Sequence, residues 1–151
     1  MNDLNELGGR VLVIFDGHCG LCNRSVRWLL PRDQGDRMRF VASESPKVAG
    51  LLARLGIGGG DSGSGTNLPS SIVVVRNAGG ANEQALVRSE AVLALLGELP
   101  RPWPGVAAVA RWIPRVVRDV VYRLIARWRF RIWGRLESCP LPTVEERGRF
   151  L

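Results

Sequence analysis

The sequence predicts an α/β fold in which one mixed sheet of about four strands carries helices on its faces. Three observations predict it. Residues 11–15 and 38–41 are short apolar runs separated by a segment with helical spacing, the pattern of two parallel strands joined by a crossover helix. Residues 72–75 form a third, β-branched run. The turn Ala78-Gly79-Gly80 follows it and leads to an extended run at 84–87, so the last two strands pair as an antiparallel hairpin. The 151 residues are one domain's worth of chain, and a content of 46% hydrophobic and 23% charged residues excludes a disordered, collagen-like or coiled-coil protein.

Each element has its own signal. Val11, Leu12, Val13, Ile14 and Phe15 lead to Asp16-Gly17 and read as a strand buried on both faces. From Gly20, the residues Leu21, Ser25, Trp28 and Leu29 recur at helical intervals until Pro31 and Arg32-Asp33-Gln34-Gly35 end the run. After the second strand, Ser45-Pro46 opens a helix whose stripe is Val48, Leu51, Leu52 and Leu55, stopped by Gly56. The tract from Gly58 to Gly65 is too poor in apolar groups to offset the entropy of ordering, so residues 57–66 are expected to form a flexible Gly/Ser loop. Ser89 with Glu90 opens a third helix that runs through Leu96 to Gly97, and Pro100, Pro102 and Pro104 make a stiff link beyond it. From Gly105 the spacing is helical again, broken at Pro114, with a last helix reaching Trp133. This order is thioredoxin-like. Residues 1–100 are expected to form the core, and residues 101–151 a basic helical extension packed on the same domain.

The sharpest chemical signal is Asp16-Gly17-His18-Cys19-Gly20-Leu21-Cys22, which places a Cys-x-x-Cys where the first strand turns into the first helix. Free N–H groups and the positive end of the macrodipole at a helix start favour an anion, so Cys19 should ionise more readily than a free thiol of pKa about 8.5. Cys19 is the candidate nucleophile. Cys22 lies nearly one helical turn on, where its sulfur faces the same side, which makes it the candidate resolving thiol. A half zinc site and a pair of inert buried thiols are the competing readings, and the strand-to-helix context favours redox chemistry. A closed zinc site would have to recruit His18 or the distant Cys139, since no second Cys pair exists. Asp16 has two competing roles: capping the N–H groups of the helix, or taking a proton from Cys22 during resolution. His18, the one histidine, is either a turn residue or a cation assisting Cys19.

Asp16, Cys19 and Cys22 form an Asp-x-x-Cys-x-x-Cys signature, and with them the chain resembles the thiol-disulfide oxidoreductases of the DCC family. The resemblance extends through Leu68-Pro69-Ser70-Ser71-Ile72, Arg88-Ser89-Glu90-Ala91 and Tyr122-Arg123-Leu124-Ile125-Ala126-Arg127 to Trp133-Gly134-Arg135 and Cys139-Pro140. It implies a thioredoxin-like fold and a dithiol reaction. It also implies a cis Leu68–Pro69 bond facing the dithiol, where the Leu68 backbone would pair with an extended substrate beside Cys19. On the base rate alone Pro69 would be trans. Cys139, matched to the family's late cysteine, is either a further redox partner or a buried thiol.

Charge is concentrated at one end. Of 21 basic residues all but Lys47 are Arg, and the net charge is +7. Residues 101–135 hold nine Arg and a single acid, Asp119, together with four of the five Trp. Val117, Val121, Leu124 and Trp128 give this segment an apolar face, expected to pack on the core with its Arg solvated. A membrane-surface helix is the next reading, and nucleic acid the last, because no recognition motif accompanies the charge.

The resulting expectation is a dithiol oxidoreductase without metal or cofactor, in which Cys19 attacks, Cys22 resolves, Asp16 tunes the pair, and Leu68, Pro69 and His18 meet the substrate. Its partners would be a disulfide-containing protein or small molecule and a thiol reductant, with peripheral contact to an anionic membrane and none to nucleic acid. Three Cys and the absence of a basic signal-peptide head in residues 1–10 fit a reducing cytoplasm, at most peripheral to the membrane's inner face. The rivals are a thioredoxin-like adaptor whose basic helix does the binding, and a small zinc protein.

Overall fold

Strand β1 (Val11–Phe15) is buried along its whole length, and its alternating side chains feed two cores. Val11, Val13 and Phe15 point to one face of the sheet, where they meet Val26 and Leu29 of helix α1 (Gly20–Leu29) and Leu95 of helix α3 (Arg88–Glu98). Leu12 and Ile14 point to the other, against Val48, Leu51 and Leu52 of helix α2 (Pro46–Arg54). A computed structural model of the protein describes residues 7–16, 20–43, 45–55, 72–132, 134, 144 and 147–150. The expected loop at 57–66 lies outside these residues.

The sheet has the order β2-β1-β3-β4, with β2 spanning Met38–Ala42, β3 Val73–Arg76 and β4 Gln84–Val87. β1 and β2 are parallel, in register from Val11 opposite Met38 to Phe15 opposite Ala42, while β3 runs antiparallel to both β1 and β4. This is the thioredoxin-like α/β arrangement. β3 starts one residue later than the apolar run, and the N–H of Ile72 just before it donates to the phenol oxygen of Tyr122, 3.3 Å away. At the head of β2, the buried carboxylate of Asp33 accepts the N–H groups of Arg37 and Met38, each at 3.0 Å, so its charge is met inside the fold.

Two helices follow α3. Helix α4 (Trp103–Ala110) begins inside the expected proline link: Pro104 lies in its first turn, where an N–H would have no intrahelical partner, and the Arg101–Pro102 bond before it is cis. Helix α5 (Arg115–Ile132) lies against α3 and α1. Its orientation differs from the sequence reading. Val117, Val121, Leu124 and Trp128 face solvent, and among the described side chains of the helix the partly covered ones are Arg118, Asp119, Tyr122 and Ala126. The reason is polar. Ser89 does not cap α3 but donates its hydroxyl to Asp119, while Arg118 pairs with Glu90 at 3.2 Å and donates to the Ile113 carbonyl at 3.1 Å. The chain then returns to the outer edge of β2, where Phe150 bridges to Phe40 and stacks its ring near those of Phe40 and Phe15.

Candidate functional site

Asp16, half-buried, directly follows Phe15 at the end of β1. α1 starts at Gly20, which puts Cys22 in its first turn. Cys22 is 8% exposed and belongs to the core cluster that includes Phe15, Val26, Ile72, Ala91 and Leu95. The N–H of Gly20 donates to the carbonyl of Gly134 at 3.4 Å, so the segment after α5 comes back to the start of the dithiol helix. Gly134 has φ +76°, a left-handed conformation that a Cβ would strain.

Beside Cys22, α1, α3 and α5 enclose an open cavity of about 450 Å³. Cys22 and Trp28 form one wall, Leu95 of α3 another, and Tyr122 and Ile125 of α5 a third, with Ile72 at the base of β3 closing the end. The described residues that line it are mostly apolar, and Arg24 is the one charged residue among them. Trp28 is packed on two sides: its ring meets that of Trp103 edge-on, with centroids 4.8 Å apart, and the Arg32 guanidinium lies 4.2 Å from its centroid.

Of the residues singled out in the sequence, the structure places Asp16 and Cys22 at the same end of the sheet. Gly17, His18, Cys19, Leu68, Pro69 and Cys139 lie outside the described residues, and with them the Leu68–Pro69 bond. Ile72, three positions after Pro69, does share the cavity with Cys22. Among the described residues no three His, Cys, Asp or Glu come together as a metal site would require, and the His18, Cys19 and Cys139 of the zinc reading are not among them.

Tyr122, Trp28 and Ile125 were not legible as site residues. Tyr122 is the chain's one tyrosine, and its hydroxyl joins α5 to the base of β3. A lone tyrosine within an Arg-rich helix was the available signal.

Comparisons with known proteins bear on the chain's family. A family model described as DCC1-like thiol-disulfide oxidoreductase matches residues 13–135. A chloroplastic DCC family protein of Arabidopsis thaliana is 33% identical over 132 residues, covering 87% of this chain and 70% of its own length. The uncharacterized protein YuxK of Bacillus subtilis is 30% identical over 146 residues, covering 97% of this chain and 96% of its own. No solved structure matches. The strand-to-helix Cys pair, the thioredoxin-like sheet and the match over most of the chain lead to one conclusion: the chain belongs to the DCC1-like thiol-disulfide oxidoreductase family.

Proposed function

We propose that the protein reduces or exchanges disulfides with the dithiol Cys19 and Cys22. The observation that carries this reading is Cys22 in the first turn of α1, buried against an apolar cavity at the C-terminal end of β1. Cys19 precedes the first residue of α1, where the positive end of the helix dipole favours a thiolate. That thiolate attacks one sulfur of a substrate disulfide. The substrate S–S bond breaks, a Cys19–substrate disulfide forms, and the first substrate thiolate leaves and takes a proton from water. Cys22 then loses its proton to Asp16 or to water, and its sulfur attacks that of Cys19. The second substrate thiolate is released and a Cys19–Cys22 disulfide remains. Two electrons have passed to the substrate, and a thiol reductant restores the dithiol by the same exchange in reverse. In a reducing compartment the net direction is substrate reduction.

The cavity gives this chemistry a preference. A bulky apolar group next to the substrate disulfide finds Trp28, Leu95 and Ile125 beside Cys22, so disulfides with apolar flanks are the favoured class. Leu68 and Pro69, four and three residues before Ile72, would present backbone to such a substrate in extended form, with His18 beside it.

The test is trapping. With Cys22→Ala, resolution is blocked and Cys19 should accumulate mixed disulfides with an added peptide disulfide, resolved by mass spectrometry and released by reductant. Cys19→Ser should trap nothing. Absence of a mixed disulfide in the first variant, or no formation of an intramolecular Cys19–Cys22 bond in the wild type under mild oxidant, overturns the mechanism.

A further inference from the structure

α5 exposes the side of itself that an amphipathic helix ordinarily buries. Val116, Val117, Val120, Val121, Leu124, Ile125, Trp128 and Ile132 follow one another at intervals of one, three or four residues, and each is at least 45% exposed. Exposed apolar residues also precede it on α4 and in the turn after α4, where Val109 is 71% and Trp112 90% exposed. Single exposed apolar residues are ordinary on a protein surface; a row this long marks a surface that is covered in use.

Charge decides by what. Arg123, Arg127 and Arg131, four residues apart, run along one edge of the stripe, and Arg111 and Arg115 stand near its head. Arg111, Arg123, Arg127 and Arg131 form no ion pair among the described residues. The one acid of the segment, Asp119, is turned toward α3 and accepts the Ser89 hydroxyl, so the outer face of α5 presents no negative charge. A second copy of the same face would bring two rows of Arg together. A polynucleotide would meet the Arg but leave a row of Val, Leu and Ile without apolar cover, since base stacking needs aromatic platforms. An anionic phospholipid surface satisfies both halves: acyl chains take the aliphatic row and the tryptophans, and headgroup phosphates take the Arg, whose stems lie along the boundary.

We propose that α4 and α5 dock the protein flat on anionic phospholipid bilayers. No helix among the described residues is long and apolar enough to cross a membrane, so the contact is a surface one. Ile125 belongs both to the stripe and to the cavity beside Cys22, and docking therefore holds the cavity mouth at the lipid boundary.

The experiment is vesicle cosedimentation of the full chain, with intrinsic tryptophan fluorescence read in parallel. Vesicles of phosphatidylcholine alone are compared with vesicles containing about 30% phosphatidylglycerol, at low salt and at about 0.5 M salt. The protein should bind the anionic vesicles at least about tenfold more tightly, with a blue shift lost in Trp112→Ala, and salt should weaken binding. Replacing Arg123, Arg127 and Arg131 together by Gln should weaken it by about a hundredfold. Val116→Asp, a change at an exposed position that leaves the Arg row intact, should weaken it as well. Equal affinity for the two vesicle types, no binding to either, tighter binding to a single-stranded oligonucleotide, or a stable dimer that hides Trp112 from a fluorescence quencher would each overturn the proposal. Thiol exchange plays no part in the readout, so its failure would leave this result standing.

Discussion

The backbone of Gly134 holds the start of the dithiol helix: its carbonyl accepts the N–H of Gly20 at 3.4 Å, joining the segment beyond α5 to the turn that carries the cysteines. Gly134 can do this because it adopts φ +76°. Gly134→Ala meets no atom within 4 Å of the new Cβ, so its cost is backbone strain alone, about 1 kcal/mol. The melting temperature should fall by roughly 2–4 °C. Alkylation of Cys22 by a thiol reagent should speed up as the helix start loosens, and an unchanged alkylation rate would show that the link does not restrain the site.

Ser89 and Asp119 form one of the polar joins between α3 and α5, beside Arg118 and Glu90, and a double-mutant cycle should find them coupled. Ser89 is buried, and its hydroxyl donates to a carboxylate that also lies 3.7 Å from Arg115. A hydrogen bond to a charged group of this kind is worth about 1.5–3 kcal/mol, so Ser89→Ala and Asp119→Asn should each destabilise, and the pair together by clearly less than the sum. Additive losses in urea denaturation would mean that the two residues act independently.

Asp36 gives the fold an acid limb. Its pKa is lowered from 3.8, first by the hydrogen bonds from Arg39, at 2.9 and 3.1 Å, and further by the charges of Arg39, Arg149 and Arg10; burial opposes the shift. A carboxyl with a lowered folded-state pKa contributes stability that is present above its ordinary value and is lost as pH falls through the folded value. Wild type should therefore exceed Asp36→Asn in thermal stability near neutral pH, and the gap should close as the medium is acidified below pH 3.8 toward the folded-state pKa. Asp36 is half-exposed, so the gap should also shrink with added salt.

How much of this was legible in the sequence depends on the range of the interaction. The strands and α1 are local patterns, and β4 begins and ends at the residues the turn chemistry implied. The orientation of α5 is not local. Periodicity marks Val117, Val121, Leu124 and Trp128 as one face of a helix but does not say whether that face meets the core or the solvent. That was decided by Ser89 and Glu90, about thirty residues away in sequence, which draw the Arg118 and Asp119 side of α5 inward. The same holds for the site. Cys22 lies at a spacing visible in the sequence, whereas Tyr122 lines the cavity beside it through a long-range contact, its hydroxyl accepting the Ile72 N–H fifty residues away.

Phe150 should behave as the anchor of the C-terminal segment. Its ring lies 5.6 Å from that of Phe40 and 6.3 Å, edge-on, from that of Phe15, and the neighbouring Arg149 donates to the Leu30 carbonyl at 2.9 Å. Phe150→Ala removes a partly buried ring and uncovers Phe40, a loss of about 2–3 kcal/mol. Urea denaturation measures it, and a change below about 0.5 kcal/mol would place the segment outside the cooperative fold.

The cavity beside Cys22 makes a prediction about substrates that the thiols alone do not. Val92 stands on its rim, 39% exposed, so Val92→Trp can fill the mouth without displacing a core side chain. Two disulfides of similar reactivity separate the effects: glutathione disulfide, which is small and polar, and a peptide disulfide flanked by Leu and Phe. Wild type should favour the peptide. In Val92→Trp the kcat/KM for the peptide should fall by about 10-fold or more, the loss expected when an apolar pocket is denied to its group, while that for glutathione disulfide stays near its original value. Because the substitution leaves Cys19, Cys22 and Asp16 untouched, a parallel fall for both substrates would mean that the tryptophan blocks access to the sulfur, and an unchanged preference would mean that the cavity does not receive the substrate.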